Sequence, residues 1–597
     1  MRVKHRFAAL LTLTLVGTSM PSYASPSDDF ATLARDHWAW VLRENPVLAT
    51  TLGVRDYDQE IGDPSLAAQD RSAAEAQRLL DRLDAIPLAQ LTPAQRTDAA
   101  ILKRDLAGQV AGNRFGQRTA LFTTYSGWHQ NFAGMADSLS FRTQADFRSY
   151  LDRLNKYPGY NDAALAVSDE AIAQGYTLPC AVLGNTEKSI TGVIQTDPIK
   201  SRFYQPFASE RPRDISASDW VRLQAEAREL ITAKLNPAYA KHADWYRTRY
   251  APKCRDTVGI SETKDGRDFY NYRIGQQTTT TMTADQVHAL GLSEVARIRT
   301  EMTDVATKAG YPTREAFIAE LRSNPKYFAK SPEELMEAVA RMTKTIDGKM
   351  PGLFRRLPRL PYGIREIPAE IAEGTTTAYY SPGSPESGLS GTYYVNTSKL
   401  DQRPLWEVPA LTVHEAVPGH HHQIALQQEL DLSDYRKHAA FFTAFVEGWG
   451  LYSERLGIEM GLYDTPEKDM GRLSYEMWRA SRLVVDTGIH AKGWSKTQAV
   501  QFMKDNTALT DANIDAEVNR YISWPGQALA YKIGELKIRE LRTLAERELG
   551  DRFDLRDFHD AVLGQGAVPL DLLETQVKAW ITTAKLAPVA VRSSPKS

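Results

Sequence analysis

The chain has 597 residues, 42% of them apolar and 24% charged, with 37 Gly and 30 Pro spread along its length. These values exclude a collagen, a coiled-coil rod and a wholly disordered chain, and the length calls for one large unit with subdomains or for two domains. A net charge of −2 supplies no basic face for nucleic acid or an anionic membrane, so neither partner is expected.

Residues 1–24 read as an export signal. Arg2, Lys4 and Arg6 precede an apolar run over residues 7–16, and Ser22 and Ala24 offer the small side chains of a cleavage site. The run is too short to span a bilayer, and no later stretch of about eighteen uninterrupted apolar residues occurs. There is no cysteine near the cleavage site to carry a lipid anchor. Loss of Arg2, Lys4 and Arg6 moves the net charge from −2 to −5. A soluble protein of the periplasm or the exterior is expected, cleaved near Ala24 and not inserted in a membrane. Cys180 and Cys254 are the two cysteines. An oxidising compartment favours a disulfide between them over two separate buried thiols.

Helical periodicity dominates the mature chain. Apolar residues recur three and four apart over 28–52, 67–83, 93–110, 145–173, 217–246 and 284–309, and Pro158-Gly159 is expected to split the fourth segment into two helices. Thr92-Pro93, Ser331-Pro332 and Thr465-Pro466 each set a capping hydroxyl before a proline at the first helical position. Extended segments are expected at 269–272, 363–368, 375–381 and 392–396, the last three forming a small sheet. From 405 to 584 one helix succeeds another. Turn-rich stretches at 357–362 and 381–390 divide residues 25–356, an N-terminal helical part with the helical start of the second half, from 357–586. The two parts are expected to interlock, with 587–597 as a loose tail.

Four of the twelve histidines fall within 414–422, in the run His414-Glu415-Ala416-Val417-Pro418-Gly419-His420-His421-His422-Gln423. His-Glu at a helical turn opens the HExxH pattern, in which two histidines one turn apart hold zinc and the glutamate deprotonates water. Here Pro418 stands where the second ligand belongs. On an unbroken helix His420 would lie ~240° round from His414, and His421 would share its face but sit ~10.5 Å further along. Pro418 breaks the helix, however, and Gly419 permits the dihedral angles of an absorbed two-residue bulge. The bulge puts His420 in the ligand position, with His421 as the fallback.

The third ligand is sought in the segment 441–454, where Glu447 stands among aromatic and small residues. A charged Glu in such company must be paired or bound. With a turn inside 431–434, two antiparallel helices bring Glu447 within ~2 Å of the height of His414 and His420, whereas Glu454 overshoots by ~9 Å. Glu447 is therefore the expected third ligand. His490 and Tyr531 are candidates for polarising a scissile carbonyl. Arg482 could hold a substrate carboxylate, or simply pair with Asp486 at i+4. The strand at 392–396 could accept an extended peptide along a free edge, or be an ordinary sheet strand.

The run His414-Glu415-x-x-Pro418-Gly419-His420-His421-x-Gln423, followed by Glu447-Gly448-Trp449, resembles the bacterial family called domain of unknown function 885. Supporting matches are Thr278-Thr279-Thr280, the run from Arg482 to His490, and Pro525-Gly526-Gln527-Ala528; His422 departs from the pattern, where an apolar residue is more usual. That resemblance implies a mainly α, zincin-like metallopeptidase fold with a small β-sheet beside the active-site helices. The expected activity is an exported zinc peptidase acting on a peptide substrate. One zinc ion is held by His414, His420 and Glu447, Glu415 is general base and proton donor, and His490 and Tyr531 assist. Two other classes compete. A two-His-one-carboxylate set also serves non-haem iron oxygenases, though it would leave Glu415 idle, and the same fold could merely capture metal or peptide.

Overall fold

The computed structural model describes residues 25–586, apart from Tyr125, Gly374 and the side chain of Glu370. The export signal and the tail expected at 587–597 lie outside the described residues. The protein is mainly helical, with one three-stranded sheet. Three N-terminal helices, α1 (Pro26–Glu44), α2 (Leu66–Asp84) and α3 (Pro93–Asn113), bury Phe30, Leu33, Leu79 and Leu106 against one another. The segment expected as one helix over 28–52 breaks at Asn45, because Pro46 has no N–H to continue the ladder and instead opens the short helix Pro46–Thr51. Thr92, Ser331 and Thr465 each accept a backbone N–H at the start of their helices.

The expected break at Pro158-Gly159 does not occur. The helix α4 (Gln144–Gln174) runs through it for 31 residues. Pro158 and Gly159 lie on its outer face, while Leu154, Tyr157 and Asn161 are buried on the inner one. Asn161 accepts the Trp128 indole N–H at 3.0 Å and donates to the Ala238 carbonyl at 3.3 Å. Packing on the inner face outweighs one lost hydrogen bond on the outer. Helix α5 (Ala217–Leu230) continues through two π turns, Ile231–Leu235 and Tyr246–Tyr250, toward the disulfide. Cys180 and Cys254 are joined, with their Cα atoms 5.0 Å apart. The bridge closes a 74-residue separation, a loop whose closure contributes about 4 kcal/mol in the chain-entropy account.

Residues 269–272, expected to be extended, lie inside helix α6 (Gly266–Thr278). Their aromatic content suggests a strand, but Tyr270, Ile274 and Gln277 form one buried helical face, and Tyr270 donates its hydroxyl to Asp486 at 2.6 Å. Burial here overrides local β preference. Helix α7 (Ala284–Lys308) packs along α11 (Pro466–Lys492), so the two halves of the chain share a core.

The sheet contains β1 (Tyr362–Glu366), β2 (Ala378–Ser381) and β3 (Gly391–Val395) in the order β1-β3-β2. The first pair is parallel, with Ile364 opposite Tyr393, and the second antiparallel, with Tyr380 opposite Tyr393. The strand expected at 392–396 as a possible free edge is therefore the middle strand, paired on both sides. The edges are β1 and β2, and β2 is the one that lines the cavity described below.

Behind the sheet stand α8 (Val408–Glu415), α9 (His420–Glu429), α10 (Thr443–Leu456), α11, α12 (Asp511–Ser523) and α13 (Ala530–Leu549). Helices α10 and α13 cross at Gly448 and Gly534. A Cβ on Gly448 would lie 2.5 Å from Gly534 Cα, and one on Gly534 would lie 1.8 Å from the Ala444 carbonyl oxygen. The crossing requires glycine on both helices.

Candidate metal centre

The chain leaves helical geometry where the sequence breaks. Helix α8 ends at Glu415 and α9 starts at His420, with Ala416 through Gly419 forming the bulge between them. The Val417–Pro418 peptide is cis. The Gly419 N–H donates to the Val413 carbonyl at 2.9 Å, and the His421 N–H to Ala416 at 3.1 Å. Gly419 is required at the bulge. Its φ is −73°, an ordinary sign, but a Cβ there would sit 1.9 Å from the His414 carbonyl oxygen. Close approach to the His414 carbonyl selects glycine. The Trp449 indole on α10 donates to the Pro418 carbonyl at 2.7 Å and pins the bulge from outside.

This bulge turns His420 back toward His414. Their rings lie 4.7 Å apart at 84°. Glu447 Oε2 lies 3.6 Å from His414 Nε2 and 3.4 Å from His420 Nε2. The three offer ligand atoms that all fall within 4.8 Å of one another. The connection that delivers Glu447 is longer than the turn expected at 431–434. It spans residues 430–442 and includes the short helix Asp434–His438, and Glu447 still faces both histidines.

His421 takes no part. Its Nδ1 lies 2.9 Å from the Tyr380 hydroxyl, and its Nε2 3.0 Å from the Leu360 carbonyl. Burial pushes its pKa down to about 4. His422 is fully buried against Phe354, with ring centres 4.4 Å apart, and is pushed down to about 3, again chiefly by burial.

Glu454, rejected as a ligand, does not reach the cluster of three, yet it holds His414 from behind. Its Oε1 lies 2.8 Å from His414 Nδ1 and 3.0 Å from Arg479 Nη2. Glu447 and Glu454 are seven residues apart on α10, two turns along one stripe. That spacing was the available signal. Burial acts to lower the His414 pKa, but Glu447 and Glu454 outweigh it and hold the group up at about 9. Burial acts to raise Glu447, yet His420 and His414 hold its carboxyl well below the usual range.

The cluster opens onto a cavity of about 510 Å³. Glu415 lines it next to His414, and its carboxylate makes no hydrogen bond among the described residues. Tyr531 lines it as well. The Tyr531 ring lies nearly parallel to His414 at 6.4 Å, and its hydroxyl oxygen accepts from Arg520 Nη2 at 3.0 Å. Ala378, Tyr379 and Tyr380 of the edge strand form another wall, and Phe441, 59% exposed, stands at the mouth.

His490 is not brought to this site. It is fully buried with both ring nitrogens committed to backbone: Nδ1 accepts the Ile260 N–H at 3.0 Å, and Nε2 donates to the Tyr521 carbonyl at 2.9 Å. Helix α11 runs unbroken through Asp486-Thr487-Gly488 to Lys492. Nor does Arg482 pair with Asp486. Asp486 accepts from Tyr270 and from the Gly526 N–H at 3.1 Å, and burial holds its carboxyl up at about 7. Arg482 donates to Glu517 at 2.8 Å instead.

A family model described as "Bacterial protein of unknown function (DUF885)" matches residues 46–577. The chain belongs to this family. Its fold is similar to that of a crystal structure described as a "putative lipoprotein" from Colwellia psychrerythraea, at 26% identity and a TM-score of 0.84, over 94% of this chain and 100% of that one. A second, a "putative lipoprotein of unknown function" from Shewanella oneidensis, shares the fold at 19% identity and a TM-score of 0.66, over 93% and 99% of the two chains. No curated protein matches the chain. No helix among the described residues is long and apolar enough to cross a membrane.

Proposed function

We propose that this member of the DUF885 family is an exported zinc-dependent peptidase with a zincin-like site. One observation carries the reading: His414, His420 and Glu447 converge on the wall of a cavity that also presents Glu415, the residue next to the first ligand. Two imidazoles and a carboxylate are a donor set that zinc accepts in catalytic sites. The buried Glu447 Oε2 has no hydrogen-bond partner among the described residues and faces Nε2 of both histidines, which fits a cation between them. Bound zinc supplies Lewis acidity, which polarises a carbonyl and makes water a nucleophile at neutral pH.

The remaining roles fall to the protein. Glu415 takes the proton of the attacking water and passes it to the leaving amine. Tyr531 accepts from Arg520, so its own hydroxyl proton is free to donate to the oxygen on which negative charge develops. The edge strand β2 offers unpaired backbone along the cavity wall, onto which an extended peptide can add. Export is supported by the signal-like residues 1–24 and by the lipoprotein descriptions of the two similar structures. We place the protein in the periplasm or outside the cell.

Elemental analysis of zinc-treated protein should find about one zinc per chain, and digestion of a mixed peptide library should yield new termini. Absence of any bound transition metal would sink the proposal. Zinc without cleavage would identify a non-catalytic binding protein instead.

Glu454 gives a second expectation. Its carboxylate lies 2.8 Å from His414 Nδ1 and leaves Nε2 for the metal, the place that outer carboxylates take at zinc sites. Glu454→Gln should weaken zinc binding about 10- to 100-fold, read by competition against a chelator. An unchanged affinity would mean that packing alone orients His414.

A further inference from the structure

Arg482 lines the cavity wall, and the proposed hydrolysis leaves its chemistry unused. It is fully buried, and its guanidinium lies between two aromatic faces, with Cζ 4.5 Å from the Trp478 ring centre and 4.2 Å from that of Tyr531. Two of its nitrogens are occupied: Nε donates to the Tyr521 hydroxyl at 3.0 Å, and Nη2 to Glu517. The third, Nη1, is buried and has no partner among the described residues.

A guanidinium presents five N–H donors in a rigid fork. Evolving a buried fork with a corner left open makes sense where an acceptor arrives from outside. Stacking between Trp478 and Tyr531 fixes the plane of this one, so the open corner keeps a single direction. Arg520 reinforces the same wall, donating to Gln527 at 2.9 Å and to Tyr531, and reaching the Glu517 carboxylate at 3.5 Å. Two cations thus lean on Glu517. The acceptor that suits this wall is an anion with planar, paired oxygens, and a carboxylate fits that fork geometry.

The distance to the metal cluster sets what carries the carboxylate. One aromatic ring separates the guanidinium from His414: Tyr531 is 4.2 Å from Arg482 Cζ and 6.4 Å from the imidazole, centre to centre. Extended chain covers about 3.5 Å per residue, so one or two residues fit between a bond held at the cluster and a carboxylate held at Arg482.

The geometry points to Arg482 as the anchor for the C-terminal carboxylate of a short peptide, making this protein an exopeptidase that releases one or two residues from that end. The assignment rests on the peptidase reading above. In the step itself water adds across the C–N bond: its oxygen joins the carbonyl carbon, and the amine of the released residue takes the proton. Peptides blocked at the C-terminus would lose the anchor.

The test compares one tripeptide mixture, built from Ala, Leu, Phe and Lys, as free acids and as C-terminal amides. Zinc-loaded Glu415→Gln protein is dialysed against each, and retained peptide is measured by mass spectrometry. Acids should be retained at least tenfold better, Arg482→Met should abolish the difference, and the unsubstituted protein should shorten the acids from the C-terminal end. Equal retention of acids and amides, or retention of neither, overturns the assignment, and this comparison stands even if Arg482→Met does not fold. Preference for acids without any cleavage would uphold the carboxylate site and overturn the peptidase reading. Cleavage of acids and amides at equal rates would do the reverse.

Discussion

Glu415→Gln should keep its zinc and lose peptide hydrolysis by about 10²- to 10⁴-fold, the range that a positioned general base contributes. The substitution changes one atom type without changing volume. Glu415 makes no hydrogen bond among the described residues, so the amide breaks none in the fold. What disappears is the ability to accept a proton. Glu415 comes directly after His414 on the last turn of α8, about 100° round the helix, which separates a group on the metal from a group beside it. Metal content and turnover measured on one preparation separate the outcomes. Full activity would end the proposed mechanism, and loss of zinc would make Glu415 a ligand.

The site is legible in the sequence where chemistry depends on local spacing. A proline in place of a ligand, a glycine after it and a histidine two positions late can be read together as a break that restores convergence. Glu447 can be read because an acid among aromatic residues needs a partner. Contacts made across the fold are not legible. His490 looks available in the sequence because its acceptor and donor, the Tyr521 carbonyl and the Ile260 N–H, lie 31 and 230 residues away. Height along the helix excludes Glu454 as a ligand, but height says nothing of which imidazole nitrogen it meets.

The same divide holds for the fold. Caps at Thr92, Ser331 and Thr465 are local, and the structure has all three. Chain order cannot reveal that β3 enters between β1 and β2, which is why the wrong strand reads as a possible edge. Pro158 shows the converse error, a strong local signal overruled by the buried face of α4.

His414→Ala, His420→Ala and Glu447→Ala should each lose zinc and activity together. Removing a group that merely orients a ligand costs about 10- to 100-fold in affinity, so removing a ligand should cost more than about 100-fold. His421→Ala should behave differently. Its ring bridges the Tyr380 hydroxyl and the Leu360 carbonyl, tying β2 and the segment before β1 to α9. Losing it strands two partly buried polar groups, a cost of about 1–3 kcal/mol each at most, which appears as a lower unfolding midpoint at undiminished zinc content. The four variants therefore divide along two axes, zinc content and stability, and the division tests the bulge itself. If the residues between Glu415 and His420 continued a regular helix instead of bulging, the helix would carry His421 on the face of His414 and turn His420 away. A His421→Ala protein that comes out empty beside a zinc-replete His420→Ala protein would mean that the chain adopts that regular register instead.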